Sequence, residues 1–209
     1  MKRLTVILLI FNMLAMLLFT GCNESDDSSE FNLFSQGLLC VELGDKYGYI
    51  NEKGEYVINP QFDFAYSFGE NGLAAVKEVG GKWGFINKKG EYVINPQFDY
   101  ANGFSKNGLA IVGVDSKWGY INKKGEYVIN PQFDYAGFFA ENGLANVAVD
   151  GKYGYINEKG AYVINPQFDD AGVFAENGLA IVEVGGKLGL INKKGEYVAN
   201  PQFDDFIMY

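Results

Sequence analysis

The sequence predicts an all-β protein assembled from five tandem repeats of about 35 residues. Its five prolines, Pro60, Pro96, Pro131, Pro166 and Pro201, are spaced 36, 35, 35 and 35 residues apart, each within Asn-Pro-Gln-Phe-Asp. A fixed period of that size marks a repeat array. Aromatic residues, chiefly Phe and Tyr, make up 16% of the chain, a composition that favours pleated, half-buried strands over helices. The apolar segments are short and separated by Gly-, Asn- and Asp-containing turns, the punctuation of antiparallel hairpins. Repeats are stabilised through their neighbours, so residues 31–209 are expected to form one body.

The chain opens differently. Lys2-Arg3 precede an apolar run over residues 4–19, broken only by Thr5 and Asn12, the pattern of a secretory signal peptide spanning residues 1–21. The run is short for a membrane span, which takes about 20 apolar residues. It ends in Leu18-Phe19-Thr20-Gly21-Cys22, which resembles the lipobox of bacterial lipoproteins. That resemblance implies cleavage before Cys22, acylation of its thiol by a fatty acid such as palmitate, and attachment to a bacterial membrane. The family usually places Leu three residues before the cysteine, where this chain has Phe19. An ordinary signal peptide or an uncleaved anchor is the alternative, with Cys22 left as a thiol. Residues 22–30 continue as an acidic stretch with nothing to bury, expected to be a disordered tether reaching at most roughly 28 Å. Asn23 in place of Asp after the cysteine, and the acidic run behind it, point by the same resemblance to the outer membrane or cell surface rather than the inner membrane.

Charge narrows the function. Acidic residues outnumber basic ones 26 to 17, for a net charge of −9, and beyond Arg3 there is no arginine. Nucleic acid is therefore not an expected partner, since phosphate recognition leans on Arg and Lys clusters. Histidine is absent, which removes the commonest general base and the commonest metal ligand. Cys40 aligns with Ala75, Ile111, Asn146 and Ile181 in the other copies and reads as a small buried residue.

The third copy serves as the type. Residues 108–114 are predicted as a first strand, Asp115-Ser116 as a tight turn, and residues 117–122 as a second strand. The copies with Gly80-Gly81, Asp150-Gly151 and Gly185-Gly186 fit two-residue hairpins that favour positive φ. Asn122-Lys123-Lys124-Gly125 reads as a type I turn closed by a left-handed glycine. A third strand over residues 126–129 is expected to end at Asn130-Pro131, because proline withholds a ladder N–H. Each unit is thus a three-stranded antiparallel meander. Both faces of these strands are apolar, Tyr127 and Ile129 opposing Val128, so the units are expected to stack face to face. Three strands per unit favour an open spiral; a closed five-bladed, propeller-like ring is the alternative. Gly119 and its equivalents Gly48, Gly84, Gly154 and Gly189 make room for a large ring or for close approach of another backbone.

Lys82-Trp83-Gly84 and Lys117-Trp118-Gly119, each followed by aromatic-Ile-Asn, a Gly-centred turn, Tyr-Val-Ile, Pro-Gln-Phe-Asp and then Asn-Gly-Leu-Ala, resemble the bacterial WG-repeat family over about 170 residues. Three copies depart from it, with Tyr47, Tyr153 and Leu188 in the Trp place, and that interchange reads Trp83 and Trp118 as packing elements. The resemblance implies a β-repeat interaction or surface protein and supplies no catalytic site.

Asp63, Asp99, Asp134, Asp169 and Asp204 recur at the period. One or two carboxylates per junction fall short of the six to eight oxygens of a calcium site, and an Asp accepting backbone N–H bonds explains the recurrence. A catalytic carboxylate pair would be singular rather than repeated. No enzyme, cofactor or metal is therefore expected, and the reading is an envelope binding scaffold for a protein or glycan, with a passive envelope spacer as the alternative. The segment after each Pro-Gln-Phe-Asp changes character between copies, and loops on a rigid scaffold are the usual seat of recognition. Aromatic anchors there single out Phe64, Tyr66, Tyr100, Tyr135 and Phe138 as the candidate binding residues.

Acylation is tested at Cys22. Several acyl chains hold a protein to a membrane where one is marginal, so Cys22→Ala is expected to abolish fatty-acid labelling and to release the protein from the membrane fraction. Unchanged labelling defeats the assignment.

Overall fold

A computed structural model describes residues 33–206; the predicted leader, Cys22 and the tether lie outside the described residues. These residues form five antiparallel sheets in chain order. The first contains β1 (Leu39–Glu42), β2 (Tyr47–Ile50) and β3 (Tyr56–Phe62). The second contains β4 (Phe64–Ala65), β5 (Ala74–Lys77), β6 (Trp83–Ile86) and β7 (Tyr92–Phe98). The third contains β8 (Tyr100–Ala101), β9 (Ala110–Val114), β10 (Lys117–Ile121) and β11 (Tyr127–Phe133). The fourth contains β12 (Tyr135–Ala136), β13 (Leu144–Val149), β14 (Lys152–Asn157) and β15 (Tyr162–Phe168). The fifth contains β16 (Asp170–Ala171), β17 (Leu179–Val184), β18 (Lys187–Asn192) and β19 (Tyr197–Phe203).

The all-β, five-repeat expectation holds, and the three-stranded unit is corrected. Four sheets have four strands, because the two residues after each Phe-Asp pair with the next copy's first long strand, as Phe64↔Lys77 and Tyr100↔Gly113 do. The chain therefore leaves one sheet at the Asp and enters the next without a loop. The third long strand also runs further than expected. It continues through Pro131 to Phe133 by bulging against β10, whose Ile121, Tyr120 and Trp118 pair with Tyr127, Ile129 and Phe133. Val128 is the extra residue of the first bulge, and the Asn130-Pro131 step lies in the second. Proline is tolerated because the strand is an edge and bulged there. Bulges and proline also blunt that edge against pairing with another chain.

The valines show the cost of the sequence's two-sided reading. Val57, Val93, Val128, Val163 and Val198 are 42–58% exposed; as bulge residues they turn to solvent instead of covering the opposite face.

The expected two-residue hairpins form as the sequence predicts, except the one at Gly80-Gly81, which is corrected. Asp115 and Ser116 both hold positive φ, as do Gly185 and Gly186, the backbone of two-residue hairpins whose twist matches the strands. The hairpin carrying Gly80-Gly81 is one residue longer, closed by Glu78 and Lys82, and it accounts for the single 36-residue spacing. In the second turn the Asn122 Oδ1 accepts from the N–H groups of Lys124 and Glu126, and Gly125 donates to the Asn122 carbonyl at 2.9 Å with φ 83°.

Four apolar cores each draw on two successive sheets. Tyr49, Ile58 and Phe62 meet Ala65, Ala74, Val76 and Ile86. Phe85, Ile94 and Phe98 meet Ala101, Ala110, Val112 and Ile121. Tyr120, Ile129 and Phe133 meet Ala136, Ala145, Val147 and Ile156, and Tyr155, Ile164 and Phe168 meet Ala171, Ala180, Val182 and Ile191. One sheet offers rings and Ile while the next offers mainly Ala, Val and Ile, so large side chains fill against small ones at interior density.

The glycine of each Trp-Gly pair is fixed by the bulge. A Cβ on Gly119 would lie 2.5 Å from the Ile129 carbonyl oxygen and 2.6 Å from the Pro131 nitrogen. Gly119→Ala is expected to lower stability by about 2–3 kcal/mol, as overpacking against backbone does. Gly103→Ala, where a Cβ meets nothing within 4 Å, is expected to stay within about 0.5 kcal/mol. Equal unfolding midpoints for the two variants in denaturant would refute the account.

Candidate binding surface

At the end of each sheet where the first hairpin lies, the register brings two sequence-distant rings together. Trp118 follows the hairpin on β10 and pairs with Gly113; Tyr100 on β8 pairs with the same Gly113 from the other side. Gly113 leaves the space between them free, since a Cβ there would stand 3.3 Å from the Tyr100 Cβ and 3.5 Å from the Trp118 ring. Equivalent pairs in neighbouring sheets extend the contact. Ring centroids step from Tyr47 to Phe64 at 5.0 Å, to Trp83 at 5.6 Å, to Tyr100 at 5.8 Å and to Trp118 at 4.9 Å. Five rings from three successive sheets thus form one strip, and Tyr135 with Tyr153 adds a pair at 5.7 Å in the fourth sheet. Tilted and edge-on contacts of this kind are favourable beyond their buried area.

The five candidate residues do not behave alike. Phe64 and Tyr100 stand in the strip, on short strands rather than in the expected loops. Tyr66 belongs to it but is half-buried, stacked on Trp83 at 5.5 Å with its hydroxyl 3.5 Å from that of Tyr100. Burial, with the Tyr100 hydroxyl adding to it, pushes the Tyr66 phenol up to about 12. Tyr135 is 43% exposed beside Tyr153, and Phe138 is 46% exposed in the following loop, whereas its neighbour Phe139 packs on Tyr120 at 4.9 Å. Trp83 is 6% exposed and Trp118 half-buried, in keeping with packing elements, yet they form the spine of the strip. The sequence gives no sign of this, because only the register shows that the residue after the hairpin lies beside the residue after the Asp.

A charged row accompanies the rings. Lys46, Lys82, Lys117, Lys152 and Lys187 pair with Asp63, Asp99, Asp134, Asp169 and Asp204. The other oxygen of the first four carboxylates accepts a backbone N–H from the next sheet's hairpin, Gly80, Asp115, Asp150 and Gly185, at 2.6–2.9 Å. Each of these Asp residues ties its own sheet's lysine to the following sheet, which accounts for its recurrence. The lysine hydrogen bond, followed by the turn N–H, holds these four carboxyls below the ordinary Asp range.

Deeper in, the hydroxyls of Tyr49, Tyr120 and Tyr155 donate to the carbonyls of Tyr66, Gly137 and Gly172 at 2.7–2.8 Å. These carbonyls belong to the next sheet's entry segment, and burial pushes the three phenols up. The rings are therefore bolted, not mobile ligands for solvent.

Comparison with known proteins agrees with this architecture. The family model for the WG containing repeat matches residues 47–83, 83–118, 118–153, 153–187 and 189–209. No curated protein matches. Among solved structures, Kluyveromyces lactis Hsv2p aligns with a TM-score of 0.51 at 14% identity over 81% of this chain and 61% of that one. A eukaryotic initiation factor aligns with a TM-score of 0.54 at 12% identity over 80% and 52%. The chain thus spans under two thirds of the structures it resembles, and the likeness is one of fold alone.

The Asp bridges predict an acid response. A carboxyl lowered in the folded state adds stability that is present above its unfolded value, near 3.8, and lost as pH falls through the lowered folded value. The melting temperature is expected to fall as pH drops from about 4 towards 2. Asp99→Asn with Asp134→Asn should melt lower at pH 7 and show a shallower acid limb. An unchanged acid limb in the double variant would count against the bridges.

Proposed function

The chain belongs to the WG-containing repeat family, and from that premise we propose that it is a binding scaffold of a bacterial envelope, holding a protein or glycan partner on the aromatic strip. The strip itself carries the reading: a row of rings aligned across successive sheets, with Phe64 and Tyr135 exposed on it and others half-buried, is an unusual use of surface, and aromatic anchors dominate binding energetics. In this proposal the five sheets stack as an open spiral. Its support is that, among the described residues, β1 pairs only with β2 and β19 only with β18, so no hydrogen-bonded ladder joins first sheet to last. Acylation at Cys22 would tether the array to the outer membrane or cell surface, and no catalytic or nucleic-acid role is assigned to it.

Capture of envelope components tests the scaffold reading. Phe64→Ala, Tyr135→Ala and Phe138→Ala remove rings that are 38%, 43% and 46% exposed, so each is expected to change stability by no more than about 1 kcal/mol. Residues 31–209 of the wild type should retain a partner from envelope extract that the triple variant loses. Capture by a triple variant that is folded and unimpaired would place the binding surface elsewhere, and no capture by the wild type would favour the passive spacer.

A further inference from the structure

Each ring of the strip stands next to half of a charged pair. Phe64, Tyr100 and Tyr135 directly follow Asp63, Asp99 and Asp134, and Tyr47, Trp83 and Trp118 directly follow Lys46, Lys82 and Lys117. The pairs are themselves 32–51% exposed, so donors and acceptors not used in the bridge face the same solvent as the rings. An apolar ring beside a fixed ammonium and carboxylate matches a pyranose, which offers a C–H face for stacking and hydroxyls at its rim. The arrangement recurs at the first three junctions between sheets with only the ring identity changed.

The period sets the ligand's form. Packed sheets lie about 10 Å apart, so the subsites repeat on the scale of a few sugar residues, and a ligand that fills them must itself be extended and periodic. Charge sets its chemistry. The chain carries −9 net, and Lys46, Lys82 and Lys117 beside the rings are each paired with an Asp, which disfavours a polyanion.

Resting on the scaffold reading above, we propose that the aromatic strip with its Lys–Asp row is a carbohydrate-binding face for a neutral, extended β-1,4-linked glycan, with one subsite at each of the first three junctions between sheets. A β-1,4-linked chain presents apolar faces along an extended backbone, as the strip requires. Asp170 replaces the ring at the fourth junction between sheets, and Leu188 and Asp205 replace both rings at the fifth sheet, so the face ends there although the Lys–Asp pairs continue.

The chain has a built-in reporter, since its only two tryptophans, Trp83 and Trp118, lie in the strip. The full-length protein in detergent is titrated with the hexamers and dimers of β-1,4-linked N-acetylglucosamine and of β-1,4-linked glucose, following tryptophan emission. At least one hexamer should shift the emission and bind tenfold or more tightly than its dimer. Phe64→Ala and Tyr135→Ala should each weaken that hexamer by about tenfold with the melting temperature within a few degrees of wild type. Three results overturn the proposal: no binding of either hexamer, no gain from dimer to hexamer, or a hexamer affinity that both variants leave unchanged. The scaffold reading stands separately, because loss of envelope capture in the triple variant without any hexamer binding would keep a scaffold and assign it a protein partner, whereas failure of both would remove the scaffold as well.

Discussion

The tightest approach between backbones among the described residues organises each unit: the strand that passes through Asn-Pro lies against the Trp-Gly glycine so tightly that no side chain fits between them. In all five copies a Cβ on that glycine would fall 2.5–2.8 Å from the carbonyl of the residue before Asn-Pro. The approach is possible because the outer strand carries extra residues and curls towards its neighbour, as bulged strands do. Curling has two consequences. It buries the phenylalanine of Pro-Gln-Phe-Asp against the next sheet in the four inner junctions, and it aims the following Asp across the gap, where it meets that sheet's hairpin. The short fourth strand exists because the chain has already crossed by then.

Polar groups then secure what apolar packing brings together. At each junction an Asp bridge lies at the hairpin end. Three junctions add a buried tyrosine hydroxyl on a carbonyl. The second sheet has Phe85 in the tyrosine place, packed on Phe104 at 4.9 Å, so that junction dispenses with the hydroxyl and loses only a bond of modest net worth, about 1 kcal/mol. The fourth sheet makes a different substitution. Asn146 stands where other copies have Ala75, Ile111 or Ile181, and its Nδ2 donates to the Ala171 carbonyl at 2.7 Å. Its Oδ1 lies where a Cβ on Gly137 would be, at 2.0 Å. Asn146 and Gly137 are therefore one adaptation: the amide occupies space that only glycine vacates.

The parts of this fold that were legible in the sequence are those set by local backbone chemistry. Positive φ at Asp115 and Ser116, the Asn122 turn clamp and the crowding at Gly119 all follow from residues adjacent in the chain or from a single absent side chain. What stayed hidden depends on register. Two residues such as Phe64-Ala65 carry no periodicity, so their pairing with β5 leaves no pattern to read. The bulges break the alternation that a two-sided strand would show, which sends Val128 to solvent although its sequence context reads as buried. For the surface, the sequence singles out Phe64, Tyr100 and Tyr135 by the variation of their segment between copies, while nothing in it places Trp83 and Trp118 beside them, because the strand pairing that unites them is long-range.

Variation between copies consequently needs a geometric reading. The exposed Val of the first bulge is the same in every repeat, whereas the buried-to-half-buried ring after the lysine changes from Tyr47 to Trp83, Trp118, Tyr153 and Leu188. Invariance follows backbone demand: a β-branched residue suits a bulged edge, and glycine alone fits beneath Asn-Pro. Ring size, by contrast, is negotiable, since a partly open site can absorb a change in volume. The informative change is the concerted one. The place after the Asp runs Phe64, Tyr100, Tyr135, Asp170 and Asp205, and the place after the lysine loses its ring at Leu188. Two positions on different strands thus lose aromatic character towards the same end, while the Lys–Asp pair between them persists through Lys187 and Asp204. At the fourth junction the Asp169 bridge to Gly185 remains although Asp170 has replaced the ring, so the bridge does not require the ring; at the fifth sheet the bridge itself ends, Asp204 keeping only its lysine.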